Sequence, residues 1–204
     1  MIKETFFELI AIYSKNAVLA NDLWYEIELK YSSKNRFYHT LNHLENLLNQ
    51  LKDVKSEIED WKGILFTLYY HDIIYKASKF NNEEKSAEFA VQRMEQLLVS
   101  KLIIENCKNQ ILATKNHSIN ENSDTNYFID ADLSILGHDW NSYSNYYQNV
   151  RKEYSIYPDL IYNNGRKKFL KHFLSMQKIF KTEFFYQKFE SNSRLNLQKE
   201  FDLL

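Results

Sequence analysis

The stretch Gly63-Ile64-Leu65-Phe66-Thr67-Leu68-Tyr69-Tyr70-His71-Asp72 stays largely apolar until its last two residues. It reads as a buried helix, with Ile64, Leu65, Leu68, His71, Asp72 and Tyr75 at helical spacing on one face. A carboxylate on a core-facing stripe is costly unless something offsets its desolvation, and a bound cation does so directly. Neighbours on one helix point about 100° apart, so an imidazole followed by a carboxylate can still converge on one ion. His-Asp alone is a weak signal, and its weight depends on whether other ligands exist.

Upstream stands Arg36-Phe37-Tyr38-His39-Thr40-Leu41-Asn42-His43, with two histidines at i and i+4, one helical turn apart. Downstream, Tyr127 to Gly137 places Phe128, Asp132, Ile135 and Leu136 on one face, so a second carboxylate points inward. His43, His71, Asp72 and Asp132 together form a mixed N/O ligand set. Such a set suits a hard or borderline divalent cation and leaves coordination positions for water and substrate. Asp132 is the preferred last ligand. Asp130 then supports it or opens the helix, and the reversed assignment stays open.

The order H…HD…D resembles the HD-domain superfamily of metal-dependent phosphohydrolases, which carries this pattern on a helical bundle. The resemblance extends to a bacterial group of predicted HD phosphohydrolases through Arg36/Tyr38/His39/His43, His71/Asp72/Tyr75, Asn82/Glu83/Ser86/Ala87, Thr114/His117, Asp130/Asp132/Leu133/Leu136/Gly137 and Gly165/Arg166. These matches fall in order over residues 36–166. The resemblance implies an all-α, HD-domain-like bundle with a metal-site core at about 36–137 and additional C-terminal helices at about 138–204. It also implies a divalent metal ion (Mn, Mg, Fe, Co, Ni or Zn) and hydrolysis of a nucleotide or other small phosphoester by a metal-activated water. Tyr38-His39-x-x-x-His43 is similar as well to a motif of cyclic-nucleotide phosphodiesterases, in which the first His protonates the leaving oxygen and the second binds metal. Those enzymes usually carry Asn after the first His, where this chain has Thr40. The alternative is a non-catalytic nucleotide-sensing or interaction module that keeps the metal site as a structural element.

Around the proposed ligands, each candidate has a functional and a structural reading. His39 titrates near neutral pH and can protonate an alkoxide, or it packs beside Tyr38. Glu83 orients the metal's water, or simply complements a helix start after Asn81-Asn82. His117 is a ligand, a phosphate contact, the alternative to His39 as proton donor, or a cation at a helix end. Arg36, Lys115 and Arg166 hold phosphate or form ion pairs. Tyr146, Tyr147, Tyr154, Tyr157 and Tyr162 line a base-stacking pocket or belong to core and rim.

Composition sets the frame. The 204 residues, 44% hydrophobic and 16% aromatic, suffice for one domain over 1–204 with a sizeable core. Three glycines and one proline exclude a glycine-rich phosphate loop and argue against a turn-rich all-β fold. A single cysteine, Cys107, allows no internal disulfide. There is no signal peptide and no apolar run near the roughly 20 residues that span a bilayer, so a soluble cytoplasmic protein is expected. The net charge of −1 argues against general nucleic-acid binding. It divides into +5 over residues 151–204 and −6 over 1–150. The basic surplus is either a solvated face or faces an anionic substrate. A homo-oligomer stays open. Helices are expected near 2–13, 17–31, 40–53, 57–77, 83–99, 101–117, 127–137, 141–155, 166–181 and 184–203. Connections are expected at 32–35, 78–82, 118–126 and 162–164, with a further break marked by Pro158 and Gly165.

Overall fold

Short polar side chains set where the helices begin. Asn16, Asp60, Ser100, Asn122 and Asp139 each accept a hydrogen bond from a backbone N–H in the first turn that follows. The computed structural model describes residues 1–204 as ten α-helices and no strand. They are α1 (Ile2–Tyr13), α2 (Ala17–Tyr31), α3 (Leu41–Asp53), α4 (Trp61–Tyr70), α5 (Asn82–Gln96), α6 (Lys101–Ala113), α7 (Ser123–Leu133), α8 (Trp140–Glu153), α9 (Asp159–Ser175) and α10 (Glu183–Leu203). Single 3₁₀ turns at Lys55–Glu57 and Ser134–Gly137 complete the list. The expected all-α class holds. No helix is long and apolar enough to cross a membrane.

Helix α4 is the central element. Every residue from Gly63 to Tyr70 is buried, and α3, α5 and α6 pack around it. Each of Ile64, Phe66 and Leu68 is fully buried and contributes roughly 1.5–3 kcal/mol. The helix is much shorter than the expected 57–77. At its start, Asp124 accepts the N–H groups of Glu59 and Asp60, and Asp60 caps Gly63. A Cβ on Gly63 would lie 2.5 Å from Asp60 Oδ2, so a larger residue there would displace the capping carboxylate. At its end the chain turns after Tyr70, and distant side chains replace helical hydrogen bonds. Arg36 donates to the carbonyls of Asp72 and Ile73, while Ser86 Oγ both accepts from Ile74 N–H and donates to its carbonyl.

Other boundaries differ for equally local reasons. Helices α5 and α6 stop short of the expected 99 and 117. Leu98 and His117 there adopt left-handed backbone, with φ of 56° and 49°, which a continuing helix excludes. Helix α9 runs through Gly165 and through the expected connection at 162–164. It ends at Ser175, not near 181, because residues 176–182 form a strap whose N–H groups go to acids. Glu190 accepts from Ile179 and Phe180, and Asp130 accepts from Lys181 and Thr182. Helix α7 starts and ends four residues before the expected 127–137, and Ser134–Gly137 is a tighter turn. Helix α10 clasps that turn. Asn192 and Asn196 donate to the carbonyls of Leu136, Gly137 and His138, and a Cβ on Gly137 would lie 2.5 Å from that of Phe189.

Candidate metal centre

Three elements deliver the clustered ligands. His43 comes from the first turn of α3, His71 from the C-cap of α4 and Asp132 from the last turn of α7. One ligand atom from each lies within 4.8 Å of the others. His43 Nε2 is 3.3 Å from both His71 Nε2 and Asp132 Oδ1. His71 Nδ1 donates to the Leu68 carbonyl at 3.0 Å, which fixes the tautomer and leaves Nε2 free toward the cluster. Asp72 joins from the turn after α4, its Oδ2 3.2 Å from His71 Nε2 and 3.9 Å from His43 Nε2. His43, His71 and Asp132 could hold a metal ion, both imidazoles presenting Nε2, with the Asp72 carboxylate beside them.

The electrostatics reflect the crowding. Burial disfavours charge on the His71 ring, yet Asp72 and Asp132 outweigh it and raise its pKa to about 9, so a metal ion must displace that proton. Burial also opposes ionisation of Asp72, but His71, His39 and His43 hold its carboxyl well below the usual range. Asp132 is held down in the same way, by His43 and His71 against burial.

His39 lies outside any helix, since α3 starts at Leu41; its position does not follow from the i, i+4 spacing to His43. Glu153, at the end of α8, places it. One oxygen of that buried carboxylate accepts the N–H groups of Phe37, Tyr38 and His39 at 2.7, 2.8 and 3.0 Å. The other pairs with His39 Nδ1 at 2.7 Å and accepts from Tyr75 Oη at 3.0 Å. His39 Nε2 is thereby aimed at Asp72 Oδ2, 3.9 Å away. Although burial works against the charged ring, Asp72 and Glu153 raise the His39 pKa. The Glu153 carboxyl falls to about 2, the pull of His39 and the backbone donors exceeding the cost of burial. Sequence reasoning missed Glu153. Its one signal is an acid in the last turn of a helix, where the macrodipole favours the bases Arg151 and Lys152 that precede it.

The remaining candidates divide. Asp130 is not brought to the cluster. Its fully buried carboxylate accepts from Lys181 N–H, Thr182 N–H and Thr182 Oγ1, anchoring the strap before α10. The expected phosphate-binding cations are all engaged within the protein. Arg36 donates to the carbonyls of His39, Asp72 and Ile73 and stacks on Tyr31. Arg166 forms a buried two-pronged pair with Glu200 at 2.7 and 2.9 Å. Lys115 pairs with Glu84 and donates to the Phe80 carbonyl.

A cavity of about 660 Å³ opens beside the cluster, bordered by His39, His71, Asp72 and Asp132 on one side. Glu83 lines it, its pKa raised by burial. His117 lines it too, with a buried Nδ1 that has no hydrogen-bond partner, and burial lowers its pKa to about 4, so the ring is neutral. Tyr146, Tyr154, Tyr157 and Tyr162 contribute to the wall, whereas Tyr147 does not reach it.

The fold and site therefore define an all-helical protein whose His43, His71 and Asp132 can hold a metal ion. In comparison with known proteins, the chain matches no family model, no curated protein and no solved structure.

Proposed function

We propose that this chain is a metal-dependent phosphohydrolase acting on a small phosphoester. The observation that carries the reading is the meeting of His43, His71 and Asp132 at the edge of a large cavity. The order of the H…HD…D residues, which resembles the HD-domain superfamily, points the same way. A divalent ion, when bound, lowers the pKa of a water and polarises a phosphoryl oxygen. His43 and His71 would hold it through Nε2, with Asp132 and Asp72 as carboxylate ligands.

The chain's own groups supply the proton transfers. Glu83, half-buried with a raised pKa, accepts a proton from the attacking water as the new P–O bond forms. His39, held at Nδ1 by Glu153, donates from Nε2 to the leaving oxygen as the ester P–O bond breaks. The bound phosphoryl group relies on the metal and on uncharged donors, because Arg36, Lys115 and Arg166 are already engaged.

The test is a phosphoester panel assayed with protein loaded separately with Mn, Co, Ni, Mg and Zn. Turnover is expected with at least one metal and is lost on chelation. His71→Ala should lose both metal and turnover. His39→Ala should keep metal and lose roughly 10²–10⁴-fold in rate, less for a p-nitrophenyl ester, whose leaving group departs without protonation. Inactivity of demonstrably loaded protein, or full metal occupancy in His71→Ala, would overturn the reading.

A further inference from the structure

The cavity wall opposite the metal cluster carries information about what can occupy it. Three acids, Asp72, Glu83 and Asp132, border the space. Of the three bases that border it, Arg166 is neutralised by Glu200 and lies over the Phe169 ring, and Lys115 is neutralised by Glu84. Only the exposed rim residue Lys79 has no acid partner. With Arg166 and Lys115 already paired, a ligand with several negative charges would find only Lys79 and the metal site to balance them. An apolar group meets the reverse. Tyr146, Tyr154, Tyr157, Tyr162 and Phe169 form an aromatic wall, with Tyr154 and Tyr162 rings 5.8 Å apart. The rim continues it with Ile161 and Phe80, both exposed.

The same wall also holds polar groups without partners. Two buried polar atoms on this wall, His117 Nδ1 and Tyr162 Oη, have no hydrogen-bond partner within the protein. Buried polar groups are nearly always satisfied, so these two unpaired atoms, on residues that line the cavity but themselves shielded from it, mark a wall whose polar groups the protein leaves without partners.

We propose that the cavity takes a compound with one phosphoryl group attached to a flat aromatic moiety, and discriminates against di- and triphosphates. The phosphoryl end lies toward His43, His71 and Asp132, and the ring lies among Tyr146, Tyr154 and Tyr162. This rests on the phosphohydrolase reading for the phosphoryl end, whereas the aromatic wall and the paired bases stand on their own. An aryl ester and a nucleoside monophosphate share this chemistry.

Binding, measured by calorimetry on the metal-loaded protein, separates the proposal from catalysis. Four hydrolysis-resistant probes serve: methylphosphonate, 1-naphthylmethylphosphonate, an adenosine phosphonate and the methylene-bridged triphosphate of adenosine. The naphthyl probe should bind at least tenfold more tightly than methylphosphonate, and the adenosine phosphonate at least tenfold more tightly than the triphosphate. Tyr162→Ala should weaken the naphthyl probe about tenfold and leave methylphosphonate unchanged. Glu84→Gln, a surface change that frees Lys115, should narrow the gap between the adenosine phosphonate and the triphosphate. Equal binding of the naphthyl and methyl probes, or tighter binding of the triphosphate, would overturn the proposal even if the protein is a hydrolase. Ring-selective binding without turnover would instead leave it standing and count against the hydrolase reading.

Discussion

Residues 36–137 and residues 138–204 use buried charge in opposite ways. In the first region His43, His71, Asp72 and Asp132 face one another with no lysine or arginine among them, an arrangement that a cation would relieve. In the second, buried acids are matched by arginines: Glu200 with Arg166 and Glu190 with Arg194. One region is left electrostatically incomplete and the other is closed. The C-terminal helices are nevertheless more than an addition to the metal-site core, because Glu153 reaches back to fix His39 and Asn196 holds the turn after Asp132. Incompleteness in the first region depends on completeness in the second.

The largest expected effect breaks the closed side of this comparison. Arg166→Met leaves Glu200 buried without its partner and should cost about 3–5 kcal/mol of unfolding free energy, measured by urea titration. Arg166→Met with Glu200→Gln should recover much of that, since no buried charge is then left alone. Metal content per folded protein should stay unchanged in both. Loss of metal in the folded double variant would show that the two regions are not separable in this sense.

Glu153 tests the link between the regions. It is a carboxylate with a depressed folded pKa, so its stabilisation is complete above its ordinary value near 4.5 and disappears as pH falls through about 2. Glu153→Gln should therefore lower stability by up to about 3 kcal/mol at neutral pH, and the variant should converge on the parent only below about pH 2. Under the phosphohydrolase reading, turnover should fall about 10–100-fold with metal retained, the scale seen when a histidine loses its orienting partner. A stability gap that persists unchanged into acid would assign Glu153 to packing alone.

The same contrast explains what could be read from the sequence. His43, His71 and Asp132 are legible because residue type and helical spacing carry their chemistry, whereas Asp72 reaches the cluster from the turn after α4 and not from the expected helical face. The all-helical class was legible from apolar periodicity and the scarcity of glycine and proline. Helix α4 was overextended because Ile73, Ile74 and Tyr75 continue an apolar pattern; the turn at His71 is made by Arg36 and Ser86, which no local window contains. Arg36, Lys115 and Arg166 were assigned to phosphate because an arginine or lysine shows its charge in the sequence but not its partner. His39 was placed near the cluster correctly, though by a helical spacing that does not exist. Glu153, the residue that places it, lies over 110 positions away.

The smallest expected effect concerns two carboxylates two residues apart. From spacing alone, Asp130 and Asp132 compete for the same role. The structure separates them: Asp132 Oδ1 lies 3.3 Å from His43 Nε2, whereas Asp130 is surrounded by the N–H groups of Lys181 and Thr182 and by Thr182 Oγ1. Burial raises the Asp130 pKa despite those donors, so its ionised form carries a desolvation cost in the fold. A neutral amide of the same shape sheds that cost but loses part of the acceptor capacity and the long pairing with the buried Lys181 Nζ, 3.8 Å away. Asp130→Asn should therefore destabilise by only about 1–2 kcal/mol and keep full metal content by elemental analysis. Asp132→Asn removes a ligand charge and should lose most of the metal. Equal metal loss in both variants would mean that the strap before α10 holds α7 in register for Asp132, and that the closed region controls the open one more tightly than their separate hydrogen bonds suggest.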